Sequence, residues 1–423
     1  MTLPQIICTV IFLLVYILVV TFHRYKSIVA WIGVVVLIIL GILPLSRIAY
    51  HINWNILGIF WGSLVIAELF IYSKIPAYIA EAIIDRSRNM VWAILWLSAF
   101  SGIISAFVEN VATVLIVAPI AFEVSRKLKT SPLPFILGIC FSSNLQGTAT
   151  LVGDPPSMIL ASATRMTFND FFFFQGKPGL FFAVELAAIV SLVVIYLLYR
   201  RHTEKISVVR AEKIVSLIPG FLLIALIAGL AIGSFLPHFM DYLGGIICCG
   251  VALIGIIWSF FTPKIKTFHV LKDTDWETFF FLAAIFALIG SLTESGTTTV
   301  LAHAVGSMTS GSLFLTYCVL VVFSVFISAF VDNVPYFAAM VGVVSTLSQV
   351  HGYPLYLLLF GTILGTTVGG NITPIGAAAN IVGIGLLKKN GYHTSFFDFV
   401  KVGLPFTIAA VLTAAVFIWI FWS

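Results

Sequence analysis

Long apolar runs follow one another along nearly the whole chain, separated by short polar segments. A continuous run of roughly 20 apolar residues predicts one helix crossing a bilayer. Full crossings are predicted over residues 4–22, 28–43, 55–71, 179–199, 217–236, 241–261, 276–292 and 402–422. Two further crossings, 133–163 and 355–387, are interrupted by Gly, Pro and polar residues. Two segments, 90–122 and 312–347, are too polar at their centres to cross simply. Each splits at an acid–Asn pair into half-length helices and reads as a re-entrant hairpin with its tip at mid-membrane. The stretches 76–84 and 168–174 read as interfacial helices. The predicted fold is therefore an all-α membrane protein of about ten crossings plus two opposed re-entrant hairpins. Continuous rather than alternating apolar runs exclude a β-barrel.

The polar interruptions recur. Ser105-Ala106-Phe107-Val108-Glu109-Asn110 returns 223 residues later as Ser328-Ala329-Phe330-Val331-Asp332-Asn333. Gly138/Gly361, Gly147/Gly370, Thr150/Thr373 and Gly153/Gly376 keep that separation, and Trp54/Trp276 lie 222 apart. The domain organisation expected is N-terminal scaffold spans (1–53), a first repeat (54–166), a linker with scaffold spans (167–275), a second repeat (276–387) and a C-terminal span (388–423).

Charge supplies an orientation. With Arg24 and Lys26 in a cytoplasmic loop, 19 of the 22 Lys and Arg fall on that side, and only Arg47, Arg165 and Lys177 fall outside. Both termini then face out, the repeats are inverted, and the expected location is the cell membrane. The basic stretch 200–213 reads as a solvated linker between the halves. Hydrophobic residues make up 61% of the chain and charged residues 9%, so lipid is the expected partner and nucleic acid is not. The five cysteines show no C-x-x-C spacing and read as small packing residues. The run 4–22 lacks a basic region and a cleavage site, so it reads as a span rather than a removable signal.

Beyond their first two residues the predicted spans hold five acids, Glu68, Glu109, Asp154, Glu185 and Asp332, and neither Lys nor Arg. A carboxylate at mid-membrane costs several kcal/mol unless it meets water, a proton or a cation. With no basic side chain expected beside them, these acids should titrate or bind a cation, H⁺ or Na⁺. Glu109 and Asp332 sit at the hairpin tips with Asn110 and Asn333, and these four are the candidate Na⁺ ligands. Thr113 adds a hydroxyl where the second copy has Tyr336. Gly147, Gly153, Gly370 and Gly376 let the interrupted crossings unwind, while Pro155, Pro156 and Pro374 break their ladders. The freed carbonyls, with Thr148, Thr150, Asn371 and Thr373, suit a hard cation, and the resumed helices' N-termini suit an anion. Asp154 reads either as a helix cap or as part of the coupling. Asn380 reads as solute-facing, and Asn144 as a weaker candidate, since small polar residues also pack helices.

At these residues the chain resembles the ion transporter superfamily. That group takes in arsenite permeases, the melanosomal P protein, D-type sodium/proton antiporters, citrate/metal carriers and divalent-anion/sodium symporters. The resemblance rests on residues 105–113, 147–157, 276–296, 328–333 and 370–380. It implies a scaffold and a transport domain, elevator-like motion and a homodimer. Dicarboxylate carriers of the group have a Ser-Asn-Thr motif at each tip. Here the triplets are Glu109-Asn110-Val111 and Asp332-Asn333-Val334, which points to the arsenite permease, P protein and antiporter branch.

The function expected is secondary active transport of a small anion or oxyacid, arsenite-like, coupled to H⁺ or Na⁺. Glu109 and Asp332 would carry the coupling ion; Asn110, Asn333, Thr148, Asn371 and Thr373 would hold the solute. The rival is a Na⁺/H⁺ antiporter, and a channel is the third reading. No Walker loop and no hydrolytic constellation occurs, so an enzyme is not expected and no cofactor beyond the coupling ion is called for. A separate ATPase subunit stays open.

Overall fold

The computed structural model describes residues 2–22, 25–204, 213–236, 242–262, 265–309 and 311–423. Arg24, Lys205, Arg210 and Lys264 of the charge count, most of the basic linker, and the start of the crossing predicted at 241 lie outside the described residues. The rest is helical apart from a two-residue antiparallel hairpin. The first half holds α1 (Leu3–Thr21), α2 (Lys26–Ile39), α3 (Leu45–His51), α4 (Trp54–Tyr72), α5 (Ile75–Asp85), α6 (Met90–Ser105), α7 (Asn110–Leu128), α8 (Leu133–Gln146), α9 (Pro155–Thr164) and α10 (Leu180–Tyr199). The second half holds α11 (Ile218–Gly233), α12 (Leu243–Phe260), α13 (Thr267–Asp273), α14 (Trp276–Glu294), α15 (Thr297–Met308), α16 (Leu313–Ser328), α17 (Asn333–His351), α18 (Leu355–Gly369), α19 (Ala378–Lys389) and α20 (Phe396–Trp422).

Among the described residues, seven helices of the first half, α3 to α9, recur in order as α13 to α19. From α3/α13 onwards the starts of matching helices keep the 222- to 223-residue offset, which drifts only at α20, so the correspondence extends upstream of Trp54. Backbone details repeat with it. Lys74 and Gly296 are both left-handed (φ 62° and 72°) just before α5 and α15. Lys129 and Gly352 (φ 54° and 69°) both end a tip helix. The left-handed region favours glycine, so lysine at two of these turns shows that the repeat fixes the backbone there rather than the residue type. Helix α15 is one residue longer than α5, which places the extra residue behind the shift from 222 to 223.

Among the described residues, seven stretches are long and apolar enough to cross a membrane: α1, α4, α10, α12, α14, α20, and α18 continued through a tight turn to Ile372. Two predicted full crossings fall short of that length. Helices α2 and α11 have 14 and 16 residues, or ~21 and ~24 Å at 1.5 Å per residue. The interfacial helix expected at 76–84 is present as α5, whereas 168–174 is not a helix. There a single turn, Asn169–Phe171, leads into the hairpin pairing Phe173 with Pro178 and Phe174 with Lys177.

The halves interlock. Helix α2 packs on α14 while α12 packs on α4, and α9 packs on α17 while α19 packs on α7. Helices α10 and α20 pack on each other. The α4–α12 seam is close because Gly58 and Gly62, one helical turn apart, face Gly245 and Cys248; a Cβ on Gly62 would lie inside the Cys248 backbone. Small residues let membrane helices approach in this way. Outward faces stay apolar, as with Val10, Leu13, Leu14 and Ile17 on α1, which suits a lipid-facing surface.

Candidate functional site

The two tips and the two helix breaks converge. Helix α6 ends at Ser105 and α7 begins after Glu109, whose carboxylate caps it by accepting from Ala112 N at 3.0 Å. In the second half Asp332 caps α17, accepting from Val334 N at 3.0 Å. An acid at a helix N-terminus meets free N–H groups and the positive end of the dipole, which locally stabilises the pairs 109/110 and 332/333. The breaks also match. Thr150 Oγ1 donates to Ala106 O, and Thr373 Oγ1 donates to Ala329 O, so each break is tied to its own hairpin's turn. A Cβ on Gly153 would lie 2.5 Å from Gly147 O, and one on Gly376 2.6 Å from Gly370 O. The unwound chain folds back on itself where only glycine fits.

Because α9 crosses to α17, the carboxylate of Asp154 arrives between the tips. Asn333 Nδ2 donates to Asp154 Oδ2 at 3.2 Å, and Asn110 faces the same carboxylate. Asp154 holds the cap position of α9, but its side chain makes no cap hydrogen bond. It is turned into the site instead, so the capping reading does not hold.

A cavity of about 360 Å³ lies here. Glu109, Asn110, Asn144, Asp154, Asp332 and Asn333 line it, with Lys26, Asp275, Glu277 and Thr278. The last four were not expected. Asp275 matches Asn53 in the first repeat, so no paired acid announces it, and hydropathy places Lys26 in a loop. The expectation that no basic side chain stands near the acids is overturned. Lys26 opens α2, is only 6% exposed, and donates from Nζ to Thr278 Oγ1 at 2.9 Å. Thr278 Oγ1 donates in turn to Asp275, while Ser27 N donates to Glu277 Oε1 at 2.8 Å. The reason is packing: α2 lies against α14, which draws the first residue of α2 inward. Among the described residues the lining still carries five carboxylates and one ammonium.

The other candidates form the wall behind the cavity. Asn144 Nδ2 donates to Asn371 Oδ1 at 2.7 Å and Asn380 Oδ1 at 3.0 Å. Asn371 Nδ2 donates to Phe141 O, and Asn380 Nδ2 donates to Gly370 O and Thr373 O. Thr148 Oγ1 donates to Thr367 Oγ1 at 2.7 Å, and Thr113 Oγ1 donates to Val108 O and Glu109 O. Thr148, Asn371, Thr373 and Asn380 therefore do not line the cavity as expected of solute-holding groups; their polar atoms hold the broken helices together. Gly147, Thr150 and Gly370 serve the same breaks. Glu68 and Glu185 lie outside the lining. A larger cavity of about 830 Å³, lined by His51, Asn53, Asn55 and Arg165 among others, contains no tip residue and is not where the repeated chemistry meets.

Known proteins agree with this architecture. The family model described as citrate transporter, CitMHS, matches residues 16–353 and 307–423. An uncharacterized transporter of Mycobacterium tuberculosis is 28% identical, the alignment covering 98% of both chains. One from Synechocystis is also 28% identical, over 98% of this chain and 97% of its own. The human P protein is 25% identical over 96% of this chain, which spans 58% of its length. In fold, the YdaH transporter of Alcanivorax borkumensis superposes with a TM-score of 0.63 at 14% identity, covering 99% of this chain and 98% of that one. With residues 16–423 matched in this way, the chain is a membrane transporter belonging to the citrate transporter family, CitMHS, of the ion transporter superfamily.

Proposed function

We propose that the chain is a cation-coupled secondary transporter that carries a small oxygen-rich solute, an anion or oxyacid, through the cavity between the tips. The observation that supports this most is the charge of the described lining, in which Glu109, Asp154, Asp275 and Glu277 outnumber Lys26. Two like charges 4 Å apart repel by ~4 kcal/mol at an effective dielectric constant of ~20. Mobile H⁺ or Na⁺ relieves that repulsion, with Glu109, Asp154 and Asp332 as its seats. Asn110 and Asn333 offer amide groups to the solute, while Asn144, whose two N–H groups brace Asn371 and Asn380, offers its carbonyl alone. About 360 Å³ suits a small organic ion better than a bare metal ion. Citrate, which the family's description names, is itself polyanionic and would enter such a lining only with cations. An arsenite-like oxyacid, neutral when protonated, meets less repulsion. Inverted repeats give such a site alternating exposure. We take the halves to be inverted, the motion elevator-like and the assembly a homodimer in the cell membrane with both termini outside.

The same carboxylate excess favours a second reading, Na⁺/H⁺ antiport. Purified protein in vesicles separates them. The first reading expects labelled citrate or arsenite to accumulate under an imposed H⁺ or Na⁺ gradient. A pH gradient dissipated by Na⁺ alone, with no anion present, selects the antiporter. Conductance without coupling selects a channel.

A further inference from the structure

We propose that Lys26 is a resident counter-cation that competes, through its field, with the mobile coupling cation for the tip carboxylates. This rests on the cation-coupled reading above. The ammonium is buried, and its contacts are the neutral hydroxyl of Thr278 at 2.9 Å and the ring of Phe281, 5.3 Å from the centroid. Among the described residues no carboxylate lies within 4 Å of Nζ, so no direct ion pair consumes the charge. A buried ammonium needs negative charge near it, and the negative charge that shares its cavity is Glu109, Asp154, Asp275, Glu277 and Asp332. Glu68 and Tyr16 face that cluster from α4 and α1.

The consequence is functional. A lining that set Glu109, Asp154, Asp275 and Glu277 around the cavity without the Lys26 ammonium would hold a cation more tightly and release it more slowly. Lys26 supplies a fixed part of the neutralisation, which weakens cation binding and speeds release. Thr278 holds the ammonium on α14, and its own hydroxyl donates to Asp275.

Removing the charge should therefore tighten cation binding, which damage to the fold would not do. Lys26→Gln keeps a donor for Thr278 without the charge, Lys26→Met removes both, and Lys26→Arg keeps the charge. In vesicles at fixed pH, the Na⁺ concentration for half-maximal transport should fall on the order of tenfold in the Gln and Met variants, with a lower maximal rate. Where H⁺ drives wild-type transport, the midpoint of its pH profile should move up by about one unit. Lys26→Arg should restore most of the wild-type behaviour. An unchanged or weakened cation requirement in a folded neutral variant overturns the proposal. So does failure of both neutral variants to fold while Lys26→Arg folds, since the charge is then spent on holding α2 to α14. A wild-type protein insensitive to both Na⁺ and pH overturns the cation-coupled reading instead.

Discussion

Asp332 is the residue on which coupling can be tested most cleanly. Its carboxylate caps α17 and lines the cavity. Asparagine caps helices about as well as aspartate, so Asp332→Asn should leave a folded, inserted protein. Coupled transport in that variant should drop to background in vesicle uptake; wild-type flux would remove Asp332 from the mechanism. Asn144 has the opposite character. Its amide fills two oxygens, on Asn371 and Asn380, one from the second break and one from the helix beyond it. Asn144→Ala strands both in a buried setting, at a cost of about 1–3 kcal/mol, and should lower the unfolding temperature in detergent. The acids at 109 and 332 were legible because the chain writes them twice at one separation. Lys26 was not, because hydropathy places a lysine between two apolar runs in a loop, and only the packing of α2 on α14 turns it inward. Asp275, Glu277 and Thr278 stayed hidden for the same reason: they sit at the start of an ordinary-looking span.

At the scale of elements, apolar length predicted the long helices well and the short ones poorly. Helices α2 and α11 are cut at 14 and 16 residues. Helix α15 went unread although the repeat implied it from α5. Aromatic content at 168–174 suggested a helix, but Gly176, left-handed at φ 75°, turns the chain into a hairpin. The breaks were legible in their glycines and prolines, and the roles of their hydroxyls and amides were not, since spacing alone does not distinguish a ligand from a brace. Gly153→Ala should be tolerated far less than an ordinary surface change, because its Cβ meets the carbonyls of Gly147 and Ser105. The expected result is about 1–3 kcal/mol of destabilisation with loss of uptake, measured by thermal unfolding and vesicle flux. Gly62→Val should separate α4 from α12 at similar cost, seen as reduced yield of folded protein in detergent.

Across the whole molecule, the two halves are bound to each other by exchanged helices rather than by a flat interface. Residues 1–204 and 213–423, expressed together as separate chains with a tag on one, should co-purify and retain uptake. Either chain alone should fail to give a stable detergent-solubilised species. Recovery of a stable single half would refute the exchanged packing.

That exchange also bears on ancestry. Asp154, from the first half, reaches its amide partner Asn333 only because α9 lies on the other half's tip helix. A half-length forebear carrying one tip and one break would have had no complete cavity of its own, so it could have worked only as a pair of identical chains. Within one chain the two copies are free to differ, and the asymmetry now visible, an acid at 154 where the second copy has alanine at 377, is a difference that a pair of identical chains could not hold.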